Sequence, residues 1–490
     1  MATISQATVQ ANRGANAAQS VILAFLYSLP AIWSLQTRSF VQDPDIWWHL
    51  AAGNWILQHR AFPHTDPFSA YGAGKTWVAY SWAFEVTAAW MVAHLGLIGL
   101  LLLQSALSAA IVFAVHKLVY RIVPDFMISV ALTTVTVIAI NPIFSPRPWL
   151  ATILFFTLEL NVVLRVREDF NHRHLVWLPL IFLAWANIHA QFVYGLFLVL
   201  LATAEAWWNW RNDRSDAVGR KARNAWTIAT LSCVAATLVN PYFIGVYKTA
   251  YELGTQPAVL NLIQELQPIP FRSQFDYLLL GIGLAAISAL AWRREDRPFP
   301  WVLLLWAMVS SFRMRRDFWM MAIVGAATIA PSLRGFSVPQ TPRSKRQAFY
   351  AALGTCLILV CMCRLSSVAP QKLQLAVAEA YPAAAVDVVK AKGIHGPLFN
   401  EYDWGGYFIW SLPQIPPSMD GRALLQGAPR LQRSFATWNG RRDWDSDPEL
   451  QNAHLILGAR DEPLCTLLRR DSRYELIYED KVASVFVRRE

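Results

Sequence analysis

The sequence predicts a polytopic α-helical membrane protein of about eleven transmembrane helices, with a small C-terminal α/β domain outside the membrane. Three observations predict it. Of 490 residues, 55% are hydrophobic and only 16% charged, at a mean hydropathy of +0.31, whereas a soluble globular protein carries roughly 25% charged residues. Apolar runs of about 16 to 22 residues recur along the chain, long enough to cross a hydrocarbon core. The basic residues sit in short loops between those runs, and many of the 22 Trp stand near run ends, where an amphipathic ring suits the membrane–water interface.

Taken in order, the expected spans are 20–37, 97–116, 126–141, 148–165, 175–187, 190–209, 225–243, 275–292, 298–312, 316–332 and 347–365. The runs 175–187 and 298–312 are short for a span. No cleavage-like site follows the first run, which reads as an uncleaved signal anchor. With the N-terminus in the cytoplasm, the inside loops hold eighteen Lys and Arg and the outside loops before residue 365 hold nine. That bias predicts a multi-pass protein of the cytoplasmic membrane, N-terminus inside and C-terminal domain extracytoplasmic. The net charge of +10 follows from these loops and implies no nucleic-acid partner. Cys233, Cys356, Cys361 and Cys363 lie in apolar segments and Cys465 stands alone in the tail, so no disulfide framework is expected.

Two outside segments are long. Residues 38–96 end in "WVAYSWAFEVTAAWMVAHLG", which carries Glu85 and would break the charge-supported parity if it spanned. It reads as an interfacial helix on the outer leaflet. The second is 244–274. After residue 366 hydropathy falls, and strand-like runs such as "GPLFN", "YFIW" and "SVFVRR" appear between turn signals. The expected domains are therefore 1–366, transmembrane with the long loop 38–96, and 367–490, soluble α/β.

Chemistry concentrates in the loop "FVQDPDIWWHLAAGNWILQHRAFPHTDPFSA". Asp43 and Asp45 flank a proline directly after the first span. Two carboxylates that close could hold a cation, or one could act as general base tuned by the other. The plainer alternative is that they cap the helix starting near Ile46. His49, His59 and His64 match no zinc spacing. Asp66, in "PHTDPFS", is by local chemistry a turn former. In the tail, Asn400, Asp403, Gly405, Gly406, Asp420 and Arg422 form a turn-rich cluster that reads as architecture or acceptor recognition.

The acidic pair just beyond the first span, followed by "WWHLAAGNWILQH" and "PHTDPFS", resembles the long first external loop of GT-C superfamily glycosyltransferases. Further likeness lies in "WANIHAQFVYG" (185–195), "LVNPY" (238–242) and "IQELQP" (263–268). The tail string "FNEYDWGGYFIWSLP…MDGR" resembles the C-terminal domain of uncharacterised bacterial members. The resemblance implies a cell-envelope glycosyltransferase, of hexosyl or pentosyl type, with a polyprenyl-phosphate-linked donor on the outer face and membrane lipid around it. It leaves the acceptor open among glycan, lipid and protein. Carried over residue by residue, it makes Asp43 the first candidate for catalytic base and Asp45 the second. A divalent metal, Mg²⁺ or Mn²⁺, at Asp43 and Asp45 is allowed by the family and not required. The donor phosphate would be met by external cations, first among them Arg313, Arg315 and Arg316 of "FRMRRDF" and Arg147 of "SPRPW", since Arg suits phosphate. Snorkelling to headgroups, or pairing of Arg316 with Asp317, is the alternative for these arginines. His49, Asp66, His189 and Glu265 are expected close to substrate, with hydrogen-bonded packing the alternative for His189 and a solvated loop for Glu265. The rival function is a non-catalytic transporter or assembly subunit for lipid-linked saccharides. Such proteins often carry internal repeats, and none appears here.

Overall fold

The computed structural model describes residues 2–256, 261–336, 345–365 and 368–489. The chain folds into two compact units. A helical unit comprises Met1–Thr37, Leu101–Asn240 and Glu265–Val368, and a mixed unit comprises Arg38–Leu100, Pro241–Gln264 and Ala369–Glu490. The sequence reading put its boundary at 366 and left 38–96 with the helical part. By internal contacts, Arg38–Leu100 and Pro241–Gln264 group with the tail, and the rest of the second long loop groups with the helical unit.

In the helical unit, described residues form seven helices long and apolar enough to cross a membrane: Asn16–Gln36, Ile98–Ile122, Phe126–Ile143, Trp149–Asp169, Phe192–Asn212, Gln274–Trp292 and Gln347–Arg364. The expected count of eleven includes four further helices. Trp177–Ile188 has 12 residues, Pro298–Arg313 has 16 and Trp319–Ile329 has 11, each short against the roughly 20 needed. Ala217–Thr237 has 21 residues but opens on Arg220, Lys221 and Arg223. Local chemistry sets the starts. Asp125 accepts from Ile128 N–H at 2.9 Å, and Asp216 accepts from Val218 and Gly219 N–H at 2.8 Å each. Ser273 and Asp276 form a capping box at Gln274. The first and last helices pack as a parallel pair, with Gln347 donating to Asn16 and Thr355 donating to the Ala24 carbonyl at 3.4 Å. The lack of a Cβ on Gly354 lets Ala24 approach closely.

The mixed unit holds the helices Ile46–His59 and Trp82–Leu95, pressed together where Gly53 meets the Glu85 carbonyl. Its tail carries a four-stranded sheet in the order β1-β2-β4-β3, made of β1 (Leu398–Asn400), β2 (Leu455–Ala459), β3 (Tyr474–Glu479) and β4 (Ala483–Arg488). β1 and β2 run parallel, β2 pairs antiparallel with β4 and β4 with β3. Helices lie between β1 and β2 in the chain, as a parallel crossover requires. Phe399, Trp438, Ile456, Leu464 and Phe486 fill the core beneath the sheet. Of the expected strand runs, "GPLFN" and "SVFVRR" supply β1 and β4, but "YFIW" lies in the helix Gly405–Ser411. A four-residue apolar run does not separate strand from buried helix. Here the glycines at 405 and 406 allow the close backbone packing described next.

Candidate functional site

The acid pair lies in the mixed unit. Asp43 follows the short helix Ser39–Gln42 in extended conformation, and Asp45 occupies the position before Ile46. Asp45 makes no side-chain cap hydrogen bond to the helix, so of the two acids Asp43 is the one that meets the capping alternative. Asp43 Oδ1 accepts the Asp45 N–H at 3.1 Å, closing a tight turn around Pro44 at the head of the helix. The Asp45 carboxylate lies against Gly421, close enough that a Cβ there would fall within 3.0 Å of its Oδ1. That same position is 3.5 Å from Trp48 Nε1. Gly406 abuts the Pro44 carbonyl in the same way, its Cβ position 2.7 Å from that oxygen.

One turn along, His49 points inward. Its Nδ1 is 3.0 Å from Glu85 Oε1, and the two side chains are 5% and 1% exposed. Burial pushes the Glu85 carboxyl up to about 8, against the opposing pull of Arg422. Glu85 Oε2, Ser81 Oγ and the Trp48 indole N–H are buried without a hydrogen-bond partner among the described residues. Trp48 packs with Trp77, Ala79 and Ile409.

Beside this pair is a buried ion cluster. Arg422 donates to both oxygens of Asp66, and to Asp420 through Nε at 2.9 Å and a terminal nitrogen at 2.8 Å. Its guanidinium stands about 5 Å from the rings of Phe68 and Trp77, at 5.3 and 5.1 Å. Burial alone would depress Arg422, but Asp420 and Asp66 hold it above its ordinary range. Asp66 also forms the expected turn, accepting from Phe68 N–H at 3.0 Å and from Ser69. Sequence reasoning identified the turn and missed that the same carboxylate binds the tail. The tail cluster is locked by Asn400, whose Nδ2 donates to the Glu401 and Met419 carbonyls at 2.7 and 2.8 Å while its Oδ1 accepts from Ser418 N–H at 2.9 Å.

The arginines expected at a phosphate lie in the helical unit. Arg147 pairs with Glu265 at 3.2 Å, and the glutamate side chain stays 34% exposed. Arg315 N–H donates to the Gln267 carbonyl at 2.8 Å, tying "FRMRRDF" to "IQELQP". His189 Nδ1 lies 2.9 Å from Thr152 Oγ1, which also accepts from Trp185 Nε1 at 2.9 Å. Arg316 is in electrostatic reach of His189 and of Asp317, and Glu265 is in reach of Asp317. Asp317 accepts from Gln191 at 2.8 Å and from Tyr194 OH. Arg147, His189, Glu265, Arg316 and Asp317 are thus linked in one polar cluster, whereas the Arg315 charge acts on Asp276, and Arg313 closes the helix leading into Arg315–Asp317.

Tyr194, Thr152 and Glu159 escaped the sequence reading, which used Glu85 only as a sign that its helix is interfacial. Glu159 is buried within Trp149–Asp169 against Gly195, and its oxygens lack a hydrogen-bond partner among the described residues. A lone carboxyl in an apolar run was the available signal for both glutamates.

Among the described residues no three His, Cys, Asp or Glu side chains are gathered to hold a metal. Scanned against protein-family models the chain matches none, and a search of curated proteins returns no match.

Proposed function

We propose that this chain is a membrane glycosyltransferase that moves a sugar from a polyprenyl-phosphate donor to a hydroxyl-bearing acceptor outside the cytoplasmic membrane. The observation that carries the proposal is the acid pair: two carboxylates follow the first candidate span directly and are joined in one tight turn through the Asp43 Oδ1 to Asp45 N–H bond. In the reaction the acceptor oxygen bonds to the anomeric carbon, and the anomeric carbon–phosphate oxygen bond breaks. The acceptor proton passes to a carboxylate, Asp43 first and Asp45 second, and polyprenyl phosphate leaves with the bonding pair.

The parallel packing of the first and last candidate spans supports the orientation. Parallel helices cross a membrane in the same direction, so the segment before Asn16 and the tail after Arg364 would face opposite sides.

The test is transfer of radiolabelled sugar from polyprenyl phosphate by the full-length protein in lipid nanodiscs. Asp43→Asn keeps shape and hydrogen bonding but removes the base, and should lower turnover by roughly 10²–10⁴-fold while donor binding persists. Full activity in a well-folded Asp43→Asn, Asp45→Asn double variant would refute the proposal.

A further inference from the structure

The tail glycines have a bearing on the acids that neither turn geometry nor sheet packing explains. Gly421 lies between Asp420 and Arg422, whose side chains are joined to each other and to Asp66. Its carbonyl accepts from Tyr402 OH at 3.2 Å and from Ala423 N–H at 2.9 Å. The residues flanking it are buried and held by Asn400 and Gln426. No positive φ requires glycine at 421. The requirement is space: the place where any other residue would carry its Cβ is filled by the Asp45 carboxylate, with the Trp48 indole nitrogen beside it. Gly406 is likewise filled by the Pro44 carbonyl and by Trp48. Two glycines distant in the chain therefore receive adjacent atoms of the same Asp-Pro-Asp turn.

We propose that Gly421, framed by Asp420 and Arg422 and seconded by Gly406, is a positioning residue that seats the Asp45 carboxylate and through the Asp43–Asp45 turn fixes the acid pair. The C-terminal segment is then a structural component of the acid site. The inference rests on the glycosyltransferase reading only where it concerns turnover.

A double-mutant cycle in the full-length protein tests it, using wild type, Gly421→Ala, Asp45→Ala and the double variant, with Gly281→Ala as a control where nothing lies within 4 Å. The Gly421→Ala methyl must displace the carboxylate, so melting temperature should fall. In the Asp45→Ala background the obstruction is gone, and the second substitution should change the melting temperature by no more than about 1 °C. If Gly421→Ala fails to fold, recovery of the fold by Asp45→Ala supports the seat equally. Equal losses in both backgrounds, or a double variant that also fails to fold, would overturn it. For turnover, Gly421→Ala should lower kcat by roughly tenfold or more with donor KM within about twofold, and should cost nothing further once Asp45 is Ala. An unchanged kcat in Gly421→Ala would refute the positioning role. A non-additive melting cycle in a wild type that turns over no polyprenyl-phosphate sugar would leave the seat standing and remove the glycosyltransferase reading alone.

Discussion

Replacing Glu85 by Gln separates the charge of the buried His49–Glu85 pair from its shape. The Glu85 carboxyl is almost fully enclosed, and burial raises it from 4.5 to about 8. A carboxyl raised in the folded state holds a proton that the unfolded chain gives up. The stability it contributes is fully present below about pH 4.5 and is lost as pH rises through about 8. The raised value corresponds to roughly 5 kcal/mol between those limits, at about 1.36 kcal/mol per pH unit. Even half of that exceeds most single-residue effects. Gln keeps the volume and can still face His49, but it has no proton to lose. Melting of the purified protein followed from pH 5 to pH 9 should show wild type losing several degrees relative to Glu85→Gln, with the curves closest at the acid end. Arg422 carries its charge in both proteins, so it does not contribute to the difference. Parallel pH profiles for the two proteins would refute the reasoning, since they would mean that Glu85 is ionised in the folded state throughout.

Two further outcomes are expected. Arg422→Met leaves the Asp66 and Asp420 carboxylates buried without their shared cation and should destabilise the mixed unit by about 3–5 kcal/mol, read as early proteolysis of the tail. Arg422→Lys should recover only part of that loss, because an ammonium cannot match the two carboxylates with a planar fork, and wild-type resistance in Arg422→Met would contradict the ion cluster. Reporter fusions should place 210–224 in the cytoplasm and 38–96 outside; the reverse would remove the acid pair from the side where a lipid-linked donor is expected.

The tail sheet shows where reading the chain succeeds and where it stops. β1 and β4 announced themselves as apolar runs between turns, because a strand buried on one sheet has few ways to look otherwise. "YFIW" did not, because a single turn of helix and a short buried strand have the same composition. Four expected spans raise a related difficulty: Trp319–Ile329 is apolar enough for a membrane, yet its described helix is 11 residues, bounded by 3-10 turns at Arg315–Asp317 and Ala330–Phe336. Hydropathy reports what surrounds a segment and leaves its length as a helix to capping and packing.

The sequence by itself pointed to the solvent. A chain with this few charges and this many long apolar runs suits a membrane, where backbone groups are satisfied inside helices. It also determined where polar chemistry is costly enough to be informative, which is why Asp43, Asp45, Arg147 and Glu265 stood out. Tertiary structure alone decided partners. Asp66 and Arg422 are separated by 356 positions and share one buried ion cluster. Arg147 and Glu265 are 118 apart and bonded. Gly421 is matched to Asp45 by an absence of atoms that no residue pattern records. Periodicity and composition are local, whereas a salt bridge or a seat for a carboxylate depends on which distant surfaces the fold brings within a few ångströms.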